Sequence, residues 1–148
     1  YKYLRKMKKI VLSAFLIIMG ASYGQTKPQA DQRLVESYGE DIYQILQYRK
    51  DYYKFLLFEL DNGYEIVNVS DLISPMLLSV DDIQTSSGEA FNVAVADEST
   101  SFNFMMYNFM RQKEHNVYYD LGDGRAIKFT ALKVLWQQFD DSGLNTKN

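Results

Sequence analysis

Between Val117 and Phe129 the chain reads VYYDLGDGRAIKF, two runs of strand-like residues around a glycine-rich turn. A two-residue loop at Asp123-Gly124 would place Asp120 opposite Ile127. A three-residue loop, with Gly124 in the left-handed conformation, instead gathers the apolar side chains on one face, and we prefer this register. These side chains belong to Val117, Tyr119, Leu121, Ile127 and Phe129. The pattern therefore predicts an antiparallel hairpin with one buried face, which other elements must cover.

An amphipathic helix is predicted directly after the hairpin. Its apolar residues recur at helical spacing and are Leu132, Leu135, Trp136 and Phe139. Thr130 is a residue type that caps helix N-termini, and Gly143 is one that ends helices. This helix is therefore expected to close one side of the fold.

The segment from Asp31 to Leu60 reads as helix, because its apolar residues also recur at helical spacing. Gly39 interrupts the pattern, and a further break near Tyr48-Arg49 would divide the remainder. The segment therefore contains two or three helices in place of one. Asp61-Asn62-Gly63 should end the last of them, since Asn and Gly accept the left-handed conformation that terminates helices.

Strands are predicted after these helices. YEIVNV (Tyr64–Val69) follows directly and reads as a strand. FNFMMYNFM (Phe102–Met110) is apolar on both strand faces, which indicates a central strand covered on both sides. Leu77–Val80 could form a short strand beyond Pro75, whereas Phe91–Ala96 fits a strand or a helix equally well.

Together these elements predict an α+β fold, in which N-terminal helices pack on a mostly antiparallel sheet and a C-terminal amphipathic helix closes one side. The sheet should contain residues 64–69, 102–110, 117–121 and 125–129. A single globular domain is expected over residues 31–143, with a loose tail at 144–148. The expected core consists of Ile42, Leu46, Leu56, Leu57, Ile66, Phe104, Tyr119, Ile127, Leu135 and Trp136.

The N-terminal residues have the order of a secretory signal peptide. Met7-Lys8-Lys9 precedes the apolar run Ile10–Met19, and Ser22 and Gly24 stand where signal peptidase requires small side chains. A membrane-spanning helix would need about 20 apolar residues. We therefore interpret residues 1–24 as an upstream extension plus signal peptide, and residues 25–30 as a flexible leader. The product should be exported, periplasmic or secreted, after cleavage near Gly24/Gln25.

Composition narrows the class of protein and of partner. The 148 residues include no Cys, so we expect neither a lipid anchor behind the signal nor disulfide staples. The formal net charge is −3, but loss of the signal region leaves 11 of the 16 basic residues against 19 acidic residues, a net charge of −8. An acidic domain disfavours nucleic acid and anionic membrane surfaces as partners. No transmembrane segment is expected after cleavage.

The only histidine of the chain, His115, is the first candidate for chemistry. Zinc sites rarely use three carboxylate or water ligands, so a single His without Cys argues against zinc. A Ser–His–Asp arrangement needs only one His, but the sequence contains no G-x-S-x-G turn for the nucleophile. The stretch from Asp120 to Gly124 superficially resembles a calcium loop, but it lacks the terminal Glu of an EF-hand. We expect an exposed histidine and an ordinary hairpin turn.

Three adjacent acidic pairs are candidates for glycosidase chemistry: Asp81-Asp82, Asp97-Glu98 and Asp140-Asp141. Such chemistry needs two carboxylates that face each other across a cleft, whereas sequence neighbours on a strand point to opposite faces. We therefore expect solvated loop acids. A hydrolase acting on a glycan or peptide would have to assemble its carboxylates from separate segments, and it stays open as the alternative function. With no Walker-type loop, dinucleotide fingerprint or metal-spaced cluster in the sequence, no cofactor is expected.

A stripe of aromatic residues lies beside the aliphatic stripe of the predicted helices and consists of Tyr43, Tyr48, Tyr52 and Phe55. A helix that is apolar this far around is usually buried, which favours core and core rim. The stripe is also the candidate partner-contact surface, because Tyr suits positions where one end of the ring is dry and the other is wet. Carbohydrate stacking is a third interpretation.

Two stretches, YGEDIYQILQYRKDYYKFLLFELDNGYEIVNV (Tyr38–Val69) and YNFMRQKEHNVYYDLGDGRAIKF (Tyr107–Phe129), resemble small exported proteins of Gram-negative, flavobacterial-type bacteria. In those proteins a tyrosine-rich helix leads through Asn-Gly into a strand. The resemblance implies an envelope setting and no particular activity. Because the domain is small, acidic, poor in motifs and rich in tyrosine, the expected function is a non-enzymatic interaction module that binds an envelope protein or a peptide. Whether the chain is an enzyme stays open.

Overall fold

The computed structural model describes residues 26–97 and 102–145, so the predicted signal peptide at residues 1–24 lies outside it. The described part is α+β, as predicted. Its helices are α1 (Gln32–Tyr38), α2 (Asp41–Tyr48), α3 (Lys50–Asn62), α4 (Val93–Asp97) and α5 (Leu132–Asp141). Its strands are β1 (Tyr64–Asn68), β2 (Leu77–Ser79), β3 (Val117–Asp120) and β4 (Arg125–Phe129). No helix in these residues is long and apolar enough to cross a membrane.

The four strands of the described residues form one sheet in the order β1-β4-β3-β2. β4 pairs antiparallel with both β1 and β3, whereas β2 adds to β3 in parallel. Val117 lies opposite Phe129 and Tyr119 opposite Ile127, which confirms the predicted three-residue loop. Gly124 has the expected left-handed backbone, with φ 84°. Asp120 adds support to the turn, because its Oδ1 accepts a hydrogen bond from the N–H of Gly122 at 2.8 Å.

The prediction of a central strand over Phe102–Met110 is wrong. Residues 104–106 instead form a 3-10 turn, and Tyr107 makes only an isolated bridge to Thr85. Asn103 holds this conformation, because its Oδ1 accepts from the N–H of Met105 and its Nδ2 donates to the carbonyl of Arg33. The segment is apolar on two sides because it runs through the core. Its side chains are buried there although the segment is not a strand between two others.

The N-terminal helical segment is divided into three helices. The chain leaves helical geometry at Gly39, where φ is 60°, and again at Arg49, where φ is −137°. Both breaks fall at the predicted positions. The leader before α1 has no regular secondary structure, and Lys27 in it pairs with Glu40. The segment Phe91–Ala96, whose pattern fits a strand or a helix equally well, contains the start of the short helix α4.

The predicted capping of α5 by Thr130 is wrong. The helix begins after Ala131, without a side-chain cap. The carbonyls of Gln112 and Lys113 accept hydrogen bonds from the first N–H groups of the helix, those of Leu132 and Lys133. Backbone oxygens from a distant loop therefore satisfy donors that a capping side chain would otherwise have taken.

Gly63 ends α3 for a reason other than the predicted one. Its φ is −74°, so the left-handed conformation is not used. A Cβ at this position would lie 2.5 Å from the carbonyl oxygen of Glu59 and 3.1 Å from Cζ of Phe104. Glycine is therefore required because the ring of Phe104 and the last turn of α3 approach the backbone closely.

The hydrophobic core formed by the described residues has two parts. The main core lies between the helices and the inner face of the sheet, and a smaller cluster of Phe55, Leu135 and Phe139 joins α3 to α5. Six of the residues predicted for the core are buried: Ile42, Leu56, Phe104, Tyr119, Ile127 and Leu135. Four are only partly buried at its margin: Leu46, Leu57, Ile66 and Trp136.

Replacement Gly63→Ala tests the close approach at the end of α3. We expect the free energy of unfolding to fall by about 2 kcal/mol, because the new methyl group displaces Phe104 or the last turn of α3. Urea unfolding followed by circular dichroism measures the loss. Asn62→Ala, at the exposed neighbouring position, is the control and should cost less than about 1 kcal/mol. Equal stability of the two variants would contradict the explanation.

Candidate functional site

A groove of about 540 Å³ opens where α2 meets α3 beside α5. We call it the aromatic groove, and its walls are formed by Gln47, Tyr48, Arg49, Lys50, Asp51, Tyr52 and Trp136. The groove exists because the helix breaks at Arg49. In a continuous helix the same side chains would lie along one regular surface without a gap between them. The groove is therefore built by two helix ends and one helix face.

Trp136 forms a rigid wall of the aromatic groove. Its ring stacks on Phe55 with 3.7 Å between centroids and 5° between planes. It also contacts the ring of Phe139 edge to face, with 5.8 Å between centroids. A ring held in this way loses little further freedom when a ligand contacts it, which favours binding.

Tyr48 and Tyr52 provide the remaining aromatic surface. Tyr48 is 76% exposed. Tyr52 is partly buried between the two parts of the core. The guanidinium carbon of Arg49 lies 4.4 Å from the centroid of the Tyr52 ring. This cation–π contact keeps the positive charge of Arg49 beside the groove.

The four residues of the predicted partner-contact stripe are separated by the fold. Tyr48 and Tyr52 line the aromatic groove together. Phe55 is only 2% exposed and supports Trp136 from behind, so its assignment to a contact surface is corrected to core. Tyr43 packs against the main core, with Nζ of Lys27 5.2 Å from its ring centroid.

A buried polar cluster lies behind Tyr52. Glu59 is 3% exposed and forms an ion pair with Arg111, whose side chain is partly exposed. Burial raises the pKa of Glu59 above its ordinary value, and the charge of Arg111 opposes that rise. Burial also raises the pKa of Tyr38 to about 12, with a smaller contribution from Tyr52. The cluster ties α1 and α3 to the segment that follows residue 102.

Several of these residues are not predicted as site residues from the sequence. The sequence predicts Trp136 for the core alone, because the pattern of α5 does not show which neighbour the ring contacts. Glu59 did carry a signal, since it lies four residues after Phe55 and three after Leu56, within the apolar face of α3. A carboxylate in such a position needs a cationic partner, and Arg111 supplies it.

The candidates for metal or acid–base chemistry lie elsewhere. His115 is exposed in the loop before β3, as are Asp81, Asp82, Asp140 and Asp141 in their segments. Glu98 lies outside the described residues. Within residues 26–97 and 102–145 no group of three His, Asp or Glu side chains could hold a metal ion.

One smaller cleft brings carboxylates of separate segments together. Asp81 and Asp120 line a space of about 370 Å³ beside β2. Both residues are exposed, whereas a carboxyl that acts as a general acid near neutral pH requires apolar surroundings. Neither carboxyl of this cleft therefore has surroundings suited to a general acid. The hydrolase alternative stays a prediction.

Replacement Arg111→Met tests the buried ion pair. We expect a loss of about 3 kcal/mol in unfolding free energy at neutral pH, because Glu59 is left buried without a partner. Since the folded-state pKa of Glu59 is raised, its contribution is most favourable below pH 4.5 and is lost as the pH rises through that pKa. Arg111 opposes the rise of that pKa, so its removal raises the pKa of Glu59 further. The loss should therefore shrink in acid, where Glu59 is protonated in both proteins. Urea unfolding at a series of pH values measures it.

The double variant Glu59→Gln/Arg111→Met is the control for that experiment. It removes the titrating carboxylate, so its difference from Glu59→Gln should not vary with pH. If Arg111→Met and the wild-type protein gave parallel curves of stability against pH, the assignment to Glu59 would be wrong.

Paired alanine substitutions test the division of the aromatic stripe. Phe55→Ala should lower the unfolding free energy by about 3 kcal/mol or more, because it empties a site between α3 and α5. Tyr48→Ala should change it by no more than about 0.5 kcal/mol, because the ring is exposed. Thermal or urea unfolding compares the two, and a large loss for Tyr48→Ala would contradict its surface role.

Comparison with known proteins gives no relatives for this chain. No protein-family model matches it. No curated protein and no solved structure is significantly similar to it either.

Proposed function

We propose that this protein is a non-enzymatic binding module of the bacterial envelope, and that a segment of a partner protein or a peptide occupies the aromatic groove. One observation carries the proposal: Tyr48 is 76% exposed beside Trp136, whose ring is held in place by Phe55. Exposed aromatic side chains on a rigid support are typical of the few residues that dominate protein-binding energies.

The composition of the groove supports a protein or peptide partner. Tyr, Trp and Arg, which are enriched at the centres of protein interfaces, all contribute to its walls. Its volume of about 540 Å³ suits one or two side chains of a docked segment. The apolar rings supply buried area, and the polar side chains around them supply hydrogen bonds at the rim.

The setting of the proposed function comes from the sequence. The order of basic, apolar and small residues before Gln25 is that of an export signal, and the chain contains no Cys. A domain without Cys keeps its fold in an oxidising compartment without disulfide exchange. We therefore place the binding activity in the periplasm or outside the cell.

Affinity capture tests the proposed function. The purified protein is immobilised and exposed to envelope extract of the source bacterium at physiological salt. We expect a discrete partner to be retained by the wild-type protein and lost with Tyr48→Ala, because the exposed ring is a main contact. Mass spectrometry identifies the retained protein.

Ile73→Ala is the matched control, since Ile73 is also a large apolar residue, 98% exposed, and does not line the aromatic groove. It should retain the same partner as the wild-type protein. Retention of no partner by the wild-type protein, or equal retention by Tyr48→Ala, would refute binding at this groove.

A further inference from the structure

The cations of the described residues divide into two groups. Seven form ion pairs with carboxylates: Lys27, Arg33, Arg111, Lys113, Arg125, Lys128 and Lys133. The others in residues 26–97 and 102–145, which are Arg49, Lys50 and Lys54, have no ion pair in that part of the chain. All three are exposed. The unpaired positive charge of this region is thus confined to the first part of α3 and the residue before it.

Two of these three cations line the aromatic groove, and the third lies one helical turn further along α3. Arg49 and Lys50 line it directly. Lys54 follows Lys50 by four positions on α3, so both side chains lie on the same helix face. Asp51 is the only carboxylate among the residues that line the groove. In a chain with 19 acidic and 16 basic residues, this surface has a local excess of positive charge.

We propose, on the basis of the binding function proposed above, that the occupant of the aromatic groove is an acidic peptide segment carrying an aromatic or aliphatic side chain. The apolar side chain packs against Trp136 and Tyr48, and flanking carboxylates pair with Arg49, Lys50 and Lys54. Neutral peptides gain the apolar contacts alone. Basic peptides are repelled by the three cations.

The cations and the aromatic rings contribute different amounts of free energy to binding and therefore have different roles. Exposed ion pairs contribute roughly 0–1 kcal/mol each and are weakened by salt, so the cations chiefly select the partner and speed its encounter. Burial of apolar area against the aromatic rings supplies most of the affinity. Selectivity for acidic segments should therefore fall as ionic strength rises, whereas a basal affinity for apolar side chains should remain.

Trp136 is the only tryptophan of the chain, so its fluorescence reports directly on the aromatic groove. The test titrates the purified protein with three short Trp-free peptides that share a central phenylalanine and are flanked by glutamate, glutamine or lysine residues. We expect the glutamate peptide to bind at least about tenfold more tightly than the glutamine peptide at low salt. The lysine peptide should show no saturable binding.

Two triple variants with the same change in net charge separate local from global electrostatics. Arg49→Gln/Lys50→Gln/Lys54→Gln should abolish the preference for the glutamate peptide. Lys27→Gln/Lys113→Gln/Lys128→Gln removes three paired cations outside the groove and should preserve the preference. Circular dichroism of both variants verifies that each is folded.

Each other result overturns the proposal in a distinct way. Equal binding of the glutamate and glutamine peptides would show that the groove binds peptides without selecting acidic ones. Binding of oligogalacturonate in place of every peptide would assign the groove to an acidic glycan. If no peptide altered the fluorescence while envelope capture still depended on Tyr48, the binding function would stand and the acidic-peptide proposal would fall.

Discussion

The ion pair between Glu59 and Arg111 is the constraint on which the arrangement of helices and sheet depends. A carboxylate buried in the apolar face of α3 requires a cation, and the cation comes from the segment that crosses the core after residue 102. Once Arg111 is held there, the carbonyls of residues 112 and 113 meet the start of α5. α5 then carries Trp136 onto Phe55, which completes the aromatic groove.

Local chemistry was enough to predict those parts of the fold in which neighbours in sequence are neighbours in space. The hairpin register follows from the alternation of apolar residues and from Gly124, and the breaks at Gly39 and Arg49 follow from the helical pattern. The segment 102–110 could not be predicted in the same way, because burial on two sides does not distinguish a central strand from a chain that runs through the core. The capping of α5 could not be predicted either, since the carbonyls that cap it belong to residues 112 and 113, which precede the hairpin in sequence.

The same limit applies to the groove. Spacing along the helices could place Tyr48, Tyr52 and Phe55 on related faces, but only the docking of α5 decides that Phe55 is covered while Tyr48 stays open. The contribution of Trp136 depends on a contact between residues that are far apart in sequence. The lack of ion pairs at Arg49, Lys50 and Lys54 within the described chain is likewise a tertiary property, because acidic residues are plentiful in the sequence.

The division of the core into a large part and a small one has a consequence for local stability. α5 is attached to α3 through the small cluster around Phe55 and Phe139, so it can open at a lower free energy than the sheet and its main helical cover. A ligand that contacts Tyr52 and Trp136 together would join the two parts. Occupancy of the groove would then slow amide hydrogen exchange throughout α5 without a visible change of shape, because the ligand stabilises the closed state by its binding free energy.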